Sequence, residues 1–599
     1  MTQTAPTLAS DPKSLAGHYD ILIVGSGYGG AITAARLGVA NHTAGGELKI
    51  AVLERGAEWP TGTFPDTEEG MLNQLRSQVT PMGLYELLRY DTMDVIQGCG
   101  LGGTSLINFN VAIVPDREVF LESWPAAFRA EVEASPEGVG GLGEYYKRAQ
   151  RMLGANSYAE DGGLRRTEVF GEIARHAGTT AEPLNITVNK EDRLTRYGVQ
   201  RRRCTNNGDD LTGDNTFSKN TLMTNYLPMA RHFGVELFGG IEVDRVEKSP
   251  DGSWRLVCRR RYGPRGLQSD EVVVTARRVV LSAGTLGTNG ILLRSRQAGL
   301  ALSSRLGKNF SGNGDNFAVA YNTDMRTDTQ AWGSETGPRS ELKCGPSITS
   351  VMRFGADQRD LRKRFTVEDL SIPRALQDVF RLGLMGYAAT SHRHWKPARL
   401  NRWRKDIRWN TDGAMNHSLG FLIMVHDNSD GVLVLDKNGS VRIDWPGAPT
   451  ERAYKDIDEV LEKAVAGIGG SYMKNPRWNY RYLGNHLLTA HPMGGCVTAD
   501  SVDHGVVDHA GRVFHPDGGV HDGLYVADGS VIPRSIGVNP FLTISMFTER
   551  AAEHLRAELG LPAYDAGREG DDRLESAAAQ TPPAEPTHGK RRRLLGSRS

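Results

Sequence analysis

Gly25-Ser-Gly27-Tyr-Gly29-Gly30 is a G-x-G-x-x-G run, and a carboxylate, Glu54, follows it after one further apolar segment. In such a run the first glycine allows a tight turn and the second lets the backbone approach a pyrophosphate. The third permits close helix–strand packing. A helix that starts there offers free N–H groups and positive potential to phosphate. Glu54 falls where an acid would bind ribose hydroxyls, and its charge disfavours a 2′-phosphate, so the motif addresses FAD or NAD rather than NADP. Taken singly the glycine turn is a weak signal, and Glu54 alone also reads as a solvated charge at a strand end.

These residues need a strand, a turn, a helix and a second strand to hold them. Asp20-Ile-Leu-Ile-Val24 predicts a buried strand, Ala31 to Ala40 a helix, and Lys49-Ile-Ala-Val-Leu53 the next strand. Val235 to Arg261 predicts strands around the turn Pro250-Asp-Gly252, and Arg278 to Ser282 an apolar strand closed by Ala283-Gly284. Gly523 to Glu553 returns to strand, glycine turn and helix. From about 313 to 484 the texture changes. Trp395, Trp403, Trp409 and Trp445 occur there with strand-like runs such as Gly420 to Val425, which reads as a separate substrate-covering domain. A simple nicotinamide enzyme needs one βαβ unit. Here further glycine motifs, Gly98-Cys-Gly-Leu-Gly-Gly-Thr-Ser105, Ser282-Ala-Gly284 and Val526-Ala-Asp-Gly529, lie far apart, as though one extended cofactor draws on the whole chain. FAD fits that spread.

The remaining composition narrows the class. Lysine plus arginine equal aspartate plus glutamate at 71 each in 599 residues, so no net field points to nucleic acid or an acidic surface. Five scattered cysteines do not make a disulfide framework in a chain of this size. The polar N-terminus lacks the order of a signal peptide, and no apolar run is long enough for a transmembrane segment. The expectation is a soluble, reduced, cytoplasmic protein. Residues 1–17 and 565–599 read as disordered tails, the second ending in Lys590-Arg-Arg-Arg593 with Arg598, a solubilising run rather than a nucleic-acid or lipid contact.

Val24-Gly-Ser-Gly-Tyr-Gly-Gly30, Gly102-Gly-Thr-Ser-Leu-Ile-Asn108, His491-Pro-Met-Gly-Gly-Cys496, Leu524 to Pro533 and Gly537-Val-Asn-Pro-Phe541, in this order, resemble the glucose–methanol–choline (GMC) family of flavin oxidoreductases. Within it they look most like the bacterial cholesterol oxidase branch. The resemblance spans residues 18 to 556 and is loose in the middle. It implies an α/β protein with a discontinuous Rossmann-like FAD-binding domain, residues 18–120, 200–312 and 485–558. Interleaved with it would be an α+β substrate domain on an antiparallel sheet, residues 121–199 and 313–484. Carried over residue by residue, the cofactor set is Gly25, Gly27, Tyr28, Gly29, Gly30, Glu54, Gly102, Gly103, Asn108, Val243, Gly284, Asp528, Gly529, Asn539 and Pro540. Val243 would hold adenine, Gly102, Gly103 and Asn108 the pyrophosphate and flavin, and Asp528 the ribityl chain. Covalent-flavin members carry a histidine near Gly-Gly-Thr-Ser; none stands there in this chain, so FAD is expected to be non-covalent.

Oxidising an alcohol removes the hydroxyl proton while hydride leaves the carbon, and histidine titrates where it can take that proton. By the resemblance His491 and Asn539 form the pair over the flavin, Asn539 donating a neutral hydrogen bond. Read alone, His491 is also a structural histidine before a proline turn. His392, His394, His417, His426 and His486 lack such context and read as surface or packing residues. Glu368, in Phe365-Thr-Val-Glu-Asp-Leu-Ser-Ile-Pro373, matches loosely a glutamate that moves a proton in double-bond isomerisation. It reads equally as a loop carboxylate, with Asp369 competing beside it. Where some relatives have four cysteines before Lys219-Asn-Thr-Leu222, this chain has Cys204, Asn207, Asp210 and Asp214. One thiolate holds neither a cluster nor zinc, and the two aspartates read as caps and turns rather than as ligands of a hard cation. No metal is expected. The reading is FAD-dependent oxidation of a hydrophobic secondary alcohol, a sterol first, with oxygen or another acceptor taking the electrons. The alternatives are a dehydrogenase of a polar sugar or natural-product alcohol, which the arginine-rich segment Arg393 to Arg408 would suit, and a flavin-fold binding protein without turnover.

Overall fold

The computed structural model describes residues 7–158, 163–208, 210–333, 343–389, 395–407, 412–475 and 486–564. The tail 565–599, Trp409, His392, His394 and the ends of the Arg393–Arg408 segment lie outside them.

Two large sheets organise these residues. In the first, β1 (His18–Val24) lies between β2 (Ile50–Leu53) and the long β6 (Gln268–Leu281), all parallel, with β3 (Glu236–Phe238) beyond β2. The C-terminal end of β6 also pairs in parallel with Val520–Val526. Its N-terminal half pairs antiparallel with β5 (Trp254–Tyr262), which pairs with β4 (Ile241–Lys248). The residues from Ile21 to Val24 are continuously apolar because helices cover both faces, as parallel sheets require. Helix α1 (Tyr28–Thr43) follows β1, α2 (Gly284–Gln297) follows β6, and α3 (Phe541–Glu558) packs on α1. A buried Arg36–Glu549 pair, 2.8 Å apart, joins α1 to α3, and the Tyr226 hydroxyl donates to the same carboxylate at 2.6 Å.

The second sheet is antiparallel, with β7 (Asn316–Tyr321), β8 (Ser350–Phe354), β9 (Phe365–Leu370), β10 (Leu419–Val425) and β11 (Ser471–Lys474) in the order β11-β7-β10-β9-β8. The short strand Ala181–Pro183 closes the β8 edge. Phe317, Leu422, Glu368 and Val351 stand in register across four strands and share one face. The opposite face, with Ala318, Phe421 and Val367, packs in one apolar cluster with residues of the helices Arg165–His176 and Arg452–Gly467.

Four expectations need correction. Residues 7–17 are not a disordered tail. Ser10 bridges to Phe238 at the β3 edge, Leu8 is buried, and the N–H groups of Leu8 and Ala9 donate to Glu58. Capping an open sheet edge outweighs the segment's polar composition. The helices Ala126–Glu133 and Gly143–Leu153, grouped with the antiparallel sheet by sequence, belong to the first body. Gly143–Leu153 packs on α3, and Phe128 stacks on Phe547. Glu368 lies not in a loop but inside β9. Finally, Asp369 does not compete with it: strand alternation turns Asp369 to the other face, where its carboxylate meets Arg166 at 2.8 Å and accepts the Thr349 and Ser350 N–H groups.

Candidate functional site

A long cavity opens at the carboxyl ends of β1, β2 and β6, where open α/β sheets bind ligands. Three of the four glycine motifs, distant in sequence, are pressed together at its floor. A Cβ on Gly25 would stand 2.2 Å from the Ser282 carbonyl, and one on Gly29 would stand 1.4 Å from the Ala527 carbonyl. Side chains at these positions would drive the strand ends apart. A Cβ on Gly27 meets nothing within 4 Å, since that glycine borders the open cavity. Helix α1 begins there with no side-chain cap, leaving its first N–H groups to a ligand.

Of the sequence-predicted cofactor residues, Gly25, Gly27, Tyr28, Gly29, Glu54, Gly103, Asn108, Val243, Gly284, Asp528, Gly529, Asn539 and Pro540 line this cavity. Gly30 and Gly102 do not. Gly30 lets α1 pack on the first turn, where its Cβ would strike the Gly25 carbonyl at 1.9 Å. Gly102 shapes its loop in a left-handed conformation and donates its N–H to Ser26 Oγ at 3.0 Å. Glu54 is buried, not a solvated strand end. Its Oε2 accepts Ser26 N–H and Oγ–H, and its Oε1 accepts Gly56 N–H at 2.9 Å, which leaves one lone pair for a ribose hydroxyl. Asn108 Nδ2 donates to the Tyr28 hydroxyl at 2.8 Å, and Tyr28 stacks on Phe541 with centroids 4.9 Å apart. Among the described residues, Asn108 Oδ1 is buried without a partner, as is Asn539 Oδ1. A cradle with bare helix N–H groups, a ribose-ready carboxylate and orphaned amide oxygens fits a dinucleotide such as FAD. Asp528 is engaged by Ser530 N–H at 2.9 Å and Thr288 Oγ–H at 2.5 Å, and burial raises its pKa.

At the far end stands His491. Its Nδ1 lies 2.8 Å from Asp315 Oδ1, and Nε2 has no partner among the described residues. Asp315, fully buried just before β7, also accepts Thr489 Oγ–H at 3.0 Å and Ala490 N–H at 2.9 Å through Oδ2. The carboxylate thus places the Nδ1 proton and leaves Nε2 free to accept one from the cavity. Asn539 Nδ2 donates to Glu368 Oε2 at 3.3 Å, so Glu368 stands behind Asn539 rather than on the cavity wall. Burial among Val351, Leu422 and Phe317 pushes the Glu368 pKa well above the usual carboxylate range, with Asp369 and Asp315 adding to the rise. His426 is buried with Nδ1 3.3 Å from the Ser535 carbonyl, in a packing role.

Sequence reasoning missed Asp315 and Lys219. The signal for Asp315 was a carboxylate ending the polar turn Ser311-Gly-Asn-Gly-Asp315 ahead of an apolar strand. Asp214 caps its own turn, accepting Ser218 N–H at 2.7 Å and Lys219 N–H at 3.0 Å. The fully buried Lys219 ties the cofactor loop to that turn. Its Nζ donates to the carbonyls of Asn108 at 2.6 Å, Asp210 at 2.8 Å and Leu106 at 3.3 Å.

Comparison with known proteins agrees with this architecture. GMC oxidoreductase family models match residues 19–313 and 448–548. A cholesterol oxidase of Mycobacterium tuberculosis is 28% identical, covering 89% of this chain and 90% of its own. One of Acinetobacter baumannii is 25% identical, covering 93% and 98%. Among solved structures, a fungal aryl-alcohol oxidase superposes with a TM-score of 0.56 at 14% identity, over 91% of this chain and all of its own. A pyridoxine 4-oxidase does so with 0.56 at 17%, over 90% and 99%.

Lys219 yields a pH prediction. Burial lowers its pKa to about 7, with Asp210 and Asp214 opposing the shift, whereas the unfolded lysine titrates near ~10.4. Between these values the unfolded chain holds a proton that the native site has released, so stability rises with pH, by up to about 1.4 kcal/mol per unit. Chemical denaturation from pH 7 to 10 should show Lys219→Met losing that slope relative to wild type. Parallel curves for the two proteins would contradict it.

Proposed function

The chain belongs to the GMC oxidoreductase family, flavoenzymes acting on CH–OH groups, and from that premise we propose that it oxidises an apolar secondary alcohol, a sterol in the first instance, with FAD as hydride acceptor. The observation that carries this reading is the Asp315–His491 hydrogen bond at 2.8 Å, which presents an open imidazole nitrogen to the dinucleotide cavity.

The residues from Gly25 to Gly29, with Glu54, Val243 and Asp528, would hold FAD, which supplies hydride acceptance at N5. No histidine lies in Gly98–Ser105, and burial pushes the Cys99 thiol up to about 11, so FAD is held without a covalent bond. His491 Nε2 takes the hydroxyl proton as the carbon–hydrogen bond breaks, and the Asp315 carboxylate steadies the charge that the ring acquires. Asn539 Nδ2 carries a second hydrogen beyond the one given to Glu368, and that hydrogen steadies the substrate oxygen.

The cavity that carries His491 and Asn539 is also lined by Phe109, Val111, Leu211 and Pro492, apolar side chains suited to a hydrophobic alcohol. Within the described part of the arginine-rich segment, the side chains serve the scaffold. Arg399 donates to Ser471 Oγ at 2.8 Å over the Trp395 ring, and Arg402 to Asn322 Oδ1 at 2.8 Å. None of them lines the cavity, and this favours the apolar alcohol over the polar one.

Anaerobic bleaching of the bound flavin by a panel of alcohols tests the substrate class. Sterols should bleach it and sugars should not; bleaching by polar alcohols alone would remove the sterol reading. His491→Ala should slow that reduction by roughly two to four decades with FAD content unchanged. Wild-type reduction in that variant would make His491 structural.

Glu368 gives a separate outcome. Burial raises its pKa well above the usual carboxylate range, and its base form gains population as pH rises. With a 3β-hydroxy-5-ene sterol, Glu368 reaches the ketone product only when the Asn539 amide in front of it turns aside; in its base form it then takes the C4 proton and returns it at C6. The fraction of conjugated enone should therefore grow with pH, and Glu368→Gln should accumulate the unconjugated ketone with flavin reduction largely intact. Conjugated product at the wild-type rate from Glu368→Gln, read by near-ultraviolet absorbance, would dismiss Glu368.

A further inference from the structure

Asn313 lines no part of the cavity, yet its side chain joins the two segments that carry the site. It is fully buried, with a left-handed backbone (φ 58°) that asparagine tolerates better than other side chains do. Its Oδ1 accepts two backbone donors from one loop, Ile536 N–H at 3.0 Å and Gly537 N–H at 3.1 Å, while the Ser535 hydroxyl, 3.3 Å away, has the Val425 carbonyl nearer at 3.1 Å. Its Nδ2 donates to the Val538 carbonyl at 2.8 Å, immediately before Asn539. On its own strand Asn313 stands two residues before Asp315, in a turn with no slack. Asn313 N–H donates to Ser311 Oγ at 2.9 Å, Gly314 N–H to Asp427 Oδ2 at 2.9 Å, and Ser311 Oγ–H to the same carboxylate at 2.8 Å. A Cβ on Gly314 would lie 2.0 Å from the Val425 carbonyl, so this turn cannot drift toward β10.

One amide therefore fixes the loop that ends in Asn539 to the turn that ends in the histidine's carboxylate partner. Carboxamide chemistry is needed for this: two backbone N–H donors must be accepted and one carbonyl must be served by the same planar group. We propose that Asn313 is a positioning residue that sets His491 and Asn539 relative to one another, acting through Asp315 on one side and Val538 on the other. This rests on the reading of His491 and Asn539 given above. Because a misplacement of about 1 Å at reacting groups costs about 10²-fold in rate, the effect belongs in the limiting rate and not in the binding of cofactor or alcohol.

The test uses purified holoenzyme and stopped-flow anaerobic flavin reduction by an alcohol that bleaches the wild type. Asn313→Ala should lower the limiting reduction rate by roughly 30- to 100-fold. FAD content should be unchanged, and the alcohol concentration at half-saturation should change by less than about threefold. Asn313→Asp keeps the acceptor contacts but cannot donate to Val538. It should lose roughly tenfold, and it replaces the alanine variant if that one does not fold. In an Asn539→Leu background the penalty of Asn313→Ala should shrink to a few-fold, because the group it positions is gone. A wild-type limiting rate in Asn313→Ala would overturn the proposal. So would a loss of FAD or thermal stability with the rate per bound flavin unchanged, or penalties that simply multiply in the double variant. If His491→Ala itself reduces flavin normally, the reading of the site fails; if His491→Ala is slow and Asn313→Ala is not, this inference fails alone.

Discussion

The hydrogen bond between Asp315 and His491 ties the turn ahead of the antiparallel sheet to the loop beside the dinucleotide cavity, at the point where chemistry would occur. Asp315 opens β7 of the antiparallel sheet, and His491 lies in the loop leading into Met493–Gly495 beside the dinucleotide cavity. A carboxylate buried to this degree is costly unless its oxygens are satisfied. Asp315 meets that condition with the Thr489 hydroxyl, the Ala490 N–H and the imidazole itself. Thr489 Oγ also lies 2.9 Å from the Gly312 carbonyl, so its single hydroxyl proton serves that carbonyl or the Asp315 carboxylate, both in the same turn. The imidazole is held through Nδ1 by Asp315, which leaves its second nitrogen to the cavity.

Strand geometry sorts the other carboxylates into different tasks. Glu368 and Asp369 are neighbours in sequence with opposite surroundings, because successive side chains of β9 face opposite ways. Asp369 meets Arg166 and two backbone N–H groups, a structural set of contacts. Glu368 meets one amide and an apolar wall, which favours its neutral form. The surroundings a carboxylate of β9 meets thus depend on which face of the sheet it occupies.

Much of the first body was legible because backbone approach imposes residue type. Gly25 and Gly29 stand where only glycine leaves room for the Ser282 and Ala527 carbonyls, and that requirement is written in the spacing. Gly30 and Gly102 carry the same signature for local packing, which spacing alone cannot separate from a cavity wall. The contacts that sequence left unread link distant positions through side chains of common type. Asp315 reaches His491 across 176 residues, and nothing in its local pattern names that partner. Glu368 looked like a loop carboxylate because Asp369 and Pro373 resemble strand breakers, while the partner that buries Asp369, Arg166, lies in a helix far upstream. Residues 7–17 looked like a tail by composition, but an open sheet edge at Phe238 gave them a seat.

The central claim is that Asp315 makes His491 a base, and one substitution addresses it. Asp315→Asn keeps the size of the side chain but removes the charge, and its amide can donate to Nδ1 and so favour the tautomer with its proton on Nε2. Single-turnover anaerobic flavin reduction at neutral pH, with FAD content measured in parallel, should show that variant slower than wild type by at least about 10²-fold with its flavin retained. Reduction at the wild-type rate in fully loaded Asp315→Asn would contradict the account.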